Sequence, residues 1–313
     1  MPWLTEDLSP DVSLTRHDYA YALRLSLLFY RAQRSGDLVG TDNPIPYRAT
    51  PSFTTDGADV GVDLSKGYFD AGDYVKYSQP ASYTLTMLAW GGLEFERGYR
   101  RIGEASELRA AVRWGADYIL AAATHLETNC TFYAQVGRGS TKNCASPGCK
   151  FDHGFWGRPE DYGNYRFSHQ RQTYTIDASR PATEAYAGAA AALASAYLLL
   201  RSHDEVAYTD ELLEFARRLY TCATTTNPTG EKLTAFLPEA YPQYQSRSVV
   251  SGVIVLSSPS LLTTLAPTAV RVTSWRGRRF GSLTRPESTT DTSRPCDRTS
   301  PSAATRCRTR ALA

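Results

Sequence analysis

Asp70 and Asp73 stand three residues apart in the stretch GYFDAGDYVKY, Gly67 to Tyr77, with only Ala71 and Gly72 between them. Small residues let the backbone turn tightly and let a water or substrate come close to both carboxylates. A helix beginning near Tyr74 would place both acids at its N-terminal end. Unpaired N–H groups and the helix dipole there favour the ionised form. Two carboxylates converging on one point suit activation of water by a general base, or binding of a hard cation. On spacing alone, an acidic helix cap is the plainer reading. Asp56, Asp59 and Asp63 lie upstream and read as solvated loop acids.

A second concentration of polar and aromatic residues is FDHGFWGRPEDYGNYR, Phe151 to Arg166. Taken by themselves, Trp156 is a core residue and His153 an ordinary loop histidine. Arg158, Glu160 and Asp161 read as an ion-pair lattice that holds the loop.

The elements that must position these groups are helical. Ala20, Leu23, Leu27 and Tyr30 fall at helical spacing between Asp18 and Arg34, with Ser35-Gly36 as a stop. A long loop rich in Pro, Gly, Asp and Thr leads to the paired aspartates, and such loops are usually functional. Tyr74 to Arg97 predicts a second helix with Leu85, Leu88, Ala89 and Leu93 inward, which Pro80 either kinks or starts. A third helix is expected over Glu104 to Thr124, a fourth after Pro181 and a fifth over Asp210 to Thr221. Between the third and fourth runs a long loop, Cys130 to Ala178. Helix pairs without convincing strand alternation predict an all-α fold.

The net charge of +2 conceals an asymmetry. Residues 246–313 carry eleven Arg, no Lys and three acids, a net +8 that leaves −6 for the rest. All twenty Tyr lie before this segment, and half of it is Ser, Thr or Arg. Such a composition buries too little apolar surface to fold alone. It reads as a disordered linker or, the preferred alternative, as unrelated sequence introduced by a change of reading frame.

No apolar run reaches the ~18 residues of a membrane span, and the start, MPWLTEDLSPDVSL, has no signal-peptide pattern. Six Cys, with Cys130, Cys144 and Cys149 clustered, suit an oxidising compartment. The spacing is poor for zinc and predicts a disulfide within the 130–149 loop: Cys144 with Cys149, or one of them with Cys130. Asn129-Cys130-Thr131 fits the acceptor pattern for N-glycosylation.

The run from Asp56 to Phe95, DGADVGVDLSKGYFDAGDYVKYSQPASYTLTMLAWGGLEF, closely resembles the N-terminal signature of glycoside hydrolase family 9, the inverting cellulases. The resemblance extends from about Asp18 to about Gln245. It implies an (α/α)6 barrel of the six-hairpin glycosidase type, here incomplete: a partial catalytic domain over 18–245 and a tail over 246–313. It implies that Asp73 is the general base and that Asp70 helps hold the attacking water. Phe151 to Arg166 is similar to the family's DHxxWxRPED element, which makes His153 and Trp156 sugar-binding residues. An indole stacks on the apolar face of a pyranose and an imidazole hydrogen-bonds its hydroxyls. IDASRPATEAYAGAAAAL resembles the family's IDASKPGSDxAAETAAAL, with Glu184 in place of Asp and Gly188 in place of Glu.

The family's general acid, a Glu in an NExxxDYN-like motif, has no counterpart. Glu287, the only Glu after Glu239, sits in an unrelated context. The resemblance therefore implies a cellulose- or β-glucan-hydrolysing endoglucanase by ancestry. Its alternative is an inactive polysaccharide-binding remnant. No cofactor is required on this reading, and a structural calcium is unassigned. The expected partner is the polysaccharide, with no nucleic acid and no membrane, for a monomer that is extracellular by family.

Overall fold

The computed structural model describes residues 18–226 except 40, 42, 44, 49, 71, 140–150 and 166–170. The predicted tail, 246–313, and the Cys144–Cys149 pairing lie outside the described residues.

Six α-helices occur among the described residues: α1 Tyr19–Ala32, α2 Ser78–Glu94, α3 Glu96–Arg101, α4 Ala105–Ala122, α5 Thr183–Leu200 and α6 Val206–Thr225. Asp18 caps α1, its carboxylate accepting the Tyr21 N–H at 2.8 Å. At the other end of α1, Arg31 pairs with Glu107 of α4, while Arg24 near the middle reaches Glu104 at 2.7 Å. The expected helix over Tyr74 to Arg97 is two helices, broken at Phe95, and its first turn is at Ser78, with Pro80 inside that turn. Proline is tolerated there because the early N–H groups have no intrahelical partner. Leu85 and Ala89 are buried as expected, whereas Leu93 is exposed.

α5 and α2 lie side by side. A Cβ on Gly188 would come 3.5 Å from Ser82, and one on Gly92 would meet Leu199, so the two helices run parallel. α4 packs against both, and α6 packs along α5 and touches α4. α5 is apolar enough to cross a membrane by length and composition, but most of it is buried in this core, which accounts for its apolarity.

The described chain is mostly helical, as expected, with one small sheet that the sequence reading did not foresee. Three short strands, β1 Lys76–Tyr77, β2 Phe132–Val136 and β3 Thr173–Ile176, form an antiparallel sheet in the order β1-β2-β3. β2 is buried along its whole length, so its sequence shows none of the alternation by which a half-buried strand is recognised. The sheet lies where the two predicted loops meet. It joins the segment after Asp73 to the segments on either side of the 151–165 loop.

The disulfide expectation is corrected for Cys130. It pairs with Cys222 of α6, 92 residues away, and not within the 130–149 loop. Folding brings the start of β2 beside the last turns of α6, a proximity that sequence spacing does not show.

Candidate active site

The acids do not sit on a helix N-terminus. They occupy a turn that the Asp70 N–H closes by donating to the Val75 carbonyl at 2.9 Å, with β1 intervening before α2. Asp73 is 7% exposed. One carboxylate oxygen accepts the Val75 N–H at 3.1 Å and the other faces His153 Nδ1 at 3.2 Å. Burial pushes the Asp73 carboxyl above the ordinary range, and Asp152 adds to this, while the Val75 and His153 contacts oppose it. The Asp70 carboxyl is also pushed up, by burial first and then by the charge of Asp73. A partly desolvated carboxylate with a raised proton affinity is a better base toward water than a solvated one.

The 151–165 segment is brought to this turn by aromatic packing. Tyr74, next to Asp73, lies within 6.2 Å, ring centre to ring centre, of Phe53, Phe69, Phe155 and Tyr162, and its hydroxyl donates to the Gly157 carbonyl. Trp156, carried on this loop, is 82% exposed, so it is not the core residue its type suggests. Its indole edge lies 4.0 Å from where a Cβ on Gly72 would stand. An open aromatic face thus borders the carboxylate turn, and His153 on the same loop is half exposed. All four sequence-predicted site residues converge.

What holds the convergence is a buried ionic network. Arg171, 7% exposed, donates to Asp56 at 2.7 Å, to Asp152 at 2.7 Å and to the Tyr74 carbonyl at 2.7 Å. One guanidinium therefore grips the residue after Asp73 and the residue before His153. Lys76 lies 2.8 Å from Asp56 and donates to the carbonyls of Leu64, Ser65 and Lys66. Burial lowers the Lys76 ammonium to about 8 although Asp56 opposes the shift. Gly137 makes room: a Cβ there would stand 2.3 Å from an Asp152 oxygen. Its φ of +88° also suits glycine.

Two sequence expectations fail here. Asp56 is not a solvated loop acid but the buried hub of this network, whereas Asp59 stays exposed as expected while accepting both the N–H and the hydroxyl of Thr173 at 2.7 Å. Asp63 does remain at the surface, accepting the Ser65 N–H. The ion-pair lattice also divides. Arg158 and Asp161 pair at the surface, whereas Glu160 is buried against Arg48 at 2.6 Å. Arg48 in turn donates to the Ala32 and Arg34 carbonyls, which fastens the loop to the end of α1. Arg171 carried no sequence signal at all. Asp56 and Lys76 lay inside the informative run, but only their pairing across the fold reveals their part.

Among the described residues, no three His, Cys, Asp or Glu side chains group as metal ligands. Asp70 and Asp73 alone supply too few oxygens for a hard cation. Glu184 of α5 has its carboxyl pushed up to about 7 by burial. A charged surface hollow at Glu96, Arg97, Arg100 and Arg101 lies at the far end of α2.

The model of glycosyl hydrolase family 9 matches residues 19–264. Endoglucanase B of Cellulomonas fimi is 42% identical over 209 residues, 67% of this chain and 18% of that protein. Endoglucanase 20 of Oryza sativa subsp. japonica is 40% identical over 206 residues, 65% of this chain and 36% of that protein. Among solved structures, the endoglucanase of the termite Nasutitermes takasagoensis superposes with a TM-score of 0.63 at 35% identity, covering 80% of this chain and 51% of the other. The cellulase Cel9M of C. cellulolyticum in complex with cellobiose gives 0.64 at 30% identity, covering 80% and 52%. The chain thus spans about half the length of these solved relatives and less of the curated ones.

Proposed function

Because the chain belongs to glycosyl hydrolase family 9, we propose that it carries the water-activating half of an endoglucanase cleft for β-1,4-glucan. The observation that carries this reading is the Asp70–Asp73 turn. Asp73 is fixed by Val75 and His153 and bordered by the open indole of Trp156. A pyranose stacked on that indole lies next to the carboxylates, and His153 is within reach of its hydroxyls. Asp73 takes a proton from the attacking water while Asp70 holds that water.

Inversion also requires a carboxylic acid about 6.5–9.5 Å from the base to protonate the leaving oxygen. Asp152 is tied to Arg171 and to the Arg138 N–H, and no residue matches the family's acid in its NExxxDYN-like motif. Without acid catalysis the rate falls roughly 10²–10⁴-fold. This favours a second reading for the chain as it stands, a polysaccharide-binding half without turnover of its own. No metal or cofactor enters either reading, and the chain acts as an extracellular monomer on the polysaccharide.

Reducing-sugar release from soluble β-glucan tests both readings. The 313-residue chain is expected to release almost none. Joining a family-like C-terminal half should give activity that Asp73→Asn abolishes. Trp156→Ala should weaken retention of the unjoined chain on β-glucan in affinity electrophoresis. Robust turnover by the unjoined chain, lost in Asp73→Asn, would show that another of its residues donates the proton.

A further inference from the structure

We propose that Asn129 is an N-glycosylation site, modified before its turn closes. Asn129-Cys130-Thr131 is the only Asn-x-Ser/Thr triplet of the chain with a residue other than Pro in the middle; Asn227 is followed by Pro228. Asn129 is exposed, in the turn between α4 and β2. Its φ of +56° is one that asparagine tolerates. The other parts of the triplet are engaged. The Asn129 carbonyl accepts the Ala178 N–H at 2.9 Å, Cys130 is bonded to Cys222, and the Thr131 hydroxyl donates to the Thr128 carbonyl at 2.6 Å. In the folded chain a transferase meets neither a free hydroxyl nor an extended backbone.

The order of synthesis resolves this. Ala178 and Cys222 follow Asn129 by tens of residues, Cys222 standing 92 positions after Cys130. The triplet is thus extended and unpaired as it emerges, while both closing partners are still unmade. In the reaction, the Asn129 amide nitrogen bonds to the anomeric carbon of a lipid-pyrophosphate-linked oligosaccharide. The bond from that carbon to the pyrophosphate oxygen breaks, the lipid pyrophosphate leaves with the electron pair, and one amide proton passes to the enzyme's base. Once the turn closes, the modified side chain points into solvent. It then lies beyond the Phe132 end of β2, while the Arg171 network touches the Val136 end roughly 13 Å away at strand rise. The glycan therefore leaves the carboxylate turn open. The Cys130–Cys222 bond is itself a mark of the oxidising compartment in which such transfer occurs.

The full chain, preceded by a leader that directs it into endoplasmic-reticulum microsomes, is translated and read on a denaturing gel, so a folding defect in a variant hides nothing. One endoglycosidase-sensitive increment is expected. It should be lost in Asn129→Gln and Thr131→Ala, and kept in Thr131→Ser and Cys222→Ser. Chain folded and oxidised before exposure to microsomes opened by detergent should gain none. Absence of the increment in the parent chain, or its persistence in Asn129→Gln, overturns the site. An equal increment on the prefolded chain overturns the order of events. None of these outcomes depends on glucan hydrolysis.

Discussion

Glu184 shows how one side chain sets a pH dependence. Among the described residues both its oxygens are buried with no hydrogen-bond partner on another residue, and its carboxyl is pushed up from 4.5 to about 7 by burial. Between those values the unfolded chain has lost the proton and the folded chain keeps it. Stability therefore falls as pH rises from about 4.5 to about 7, and is level above. The full effect is on the order of 3 kcal/mol at ~1.4 kcal/mol per unit. Glu184→Gln is expected to match the parent near pH 4.5 and to unfold at distinctly higher urea at pH 8. Equal midpoints at both values would mean that the carboxyl reaches water in the folded state.

At the scale of elements, close contacts between helices separate glycines that are required from one that is not. A Cβ on Gly115 of α4 would lie 2.3 Å from Leu85 of α2, a side chain packed in the core. Gly115→Ala should cost about 1–3 kcal/mol by overpacking. On Gly188 of α5 the same atom would make ordinary contact with Ser82 at 3.5 Å. Gly188→Ala should stabilise by about 0.5–1 kcal/mol, the usual penalty of glycine within a helix. Urea unfolding of the two variants should thus shift in opposite directions. The Cys130–Cys222 bond ties β2 to α6 across 92 residues. By the chain-entropy account, replacing both cysteines with Ser should cost about 4.6 kcal/mol. A loss well below that would point to a compact reduced chain.

Across the whole described chain, Arg171 links Asp56, Tyr74, Val136 and Asp152, which belong to four separate segments. Removing one partner of a buried ion pair leaves an uncompensated charge and costs about 3–5 kcal/mol. Arg171→Met should therefore destabilise severely. The equally short but exposed Arg158–Asp161 pair should be lost in Arg158→Met with no measurable change. Thermal unfolding of the two variants side by side makes the comparison, and comparable losses would show that burial does not decide the matter. If the network also positions the carboxylate turn, Arg171→Met must lose β-glucan retention at temperatures where it remains folded.

The family, the paired aspartates and the helical periodicity were legible in the sequence because each is a local pattern. Asp70 to Asp73 is a short motif, and α1, α4 and α6 repeat apolar residues every three to four positions, while α5 is apolar nearly throughout. The same locality explains what was missed. A strand as short as β1 has no period, and β2, buried on both faces, has no alternation. Asp56 reads like any loop acid until Arg171 and Lys76 arrive beside it from distant positions. Cys130 has nearer cysteines in sequence than Cys222, yet α6 brings Cys222 within bonding distance. Trp156 is an aromatic that burial statistics place in a core, and only the packing of Phe53, Tyr74, Phe155 and Tyr162 beneath its loop leaves the indole open. The sequence determined which groups could do chemistry and which segments are helical. Tertiary structure decided which charges are buried together and which ring faces water, since both depend on contacts between residues far apart in the chain.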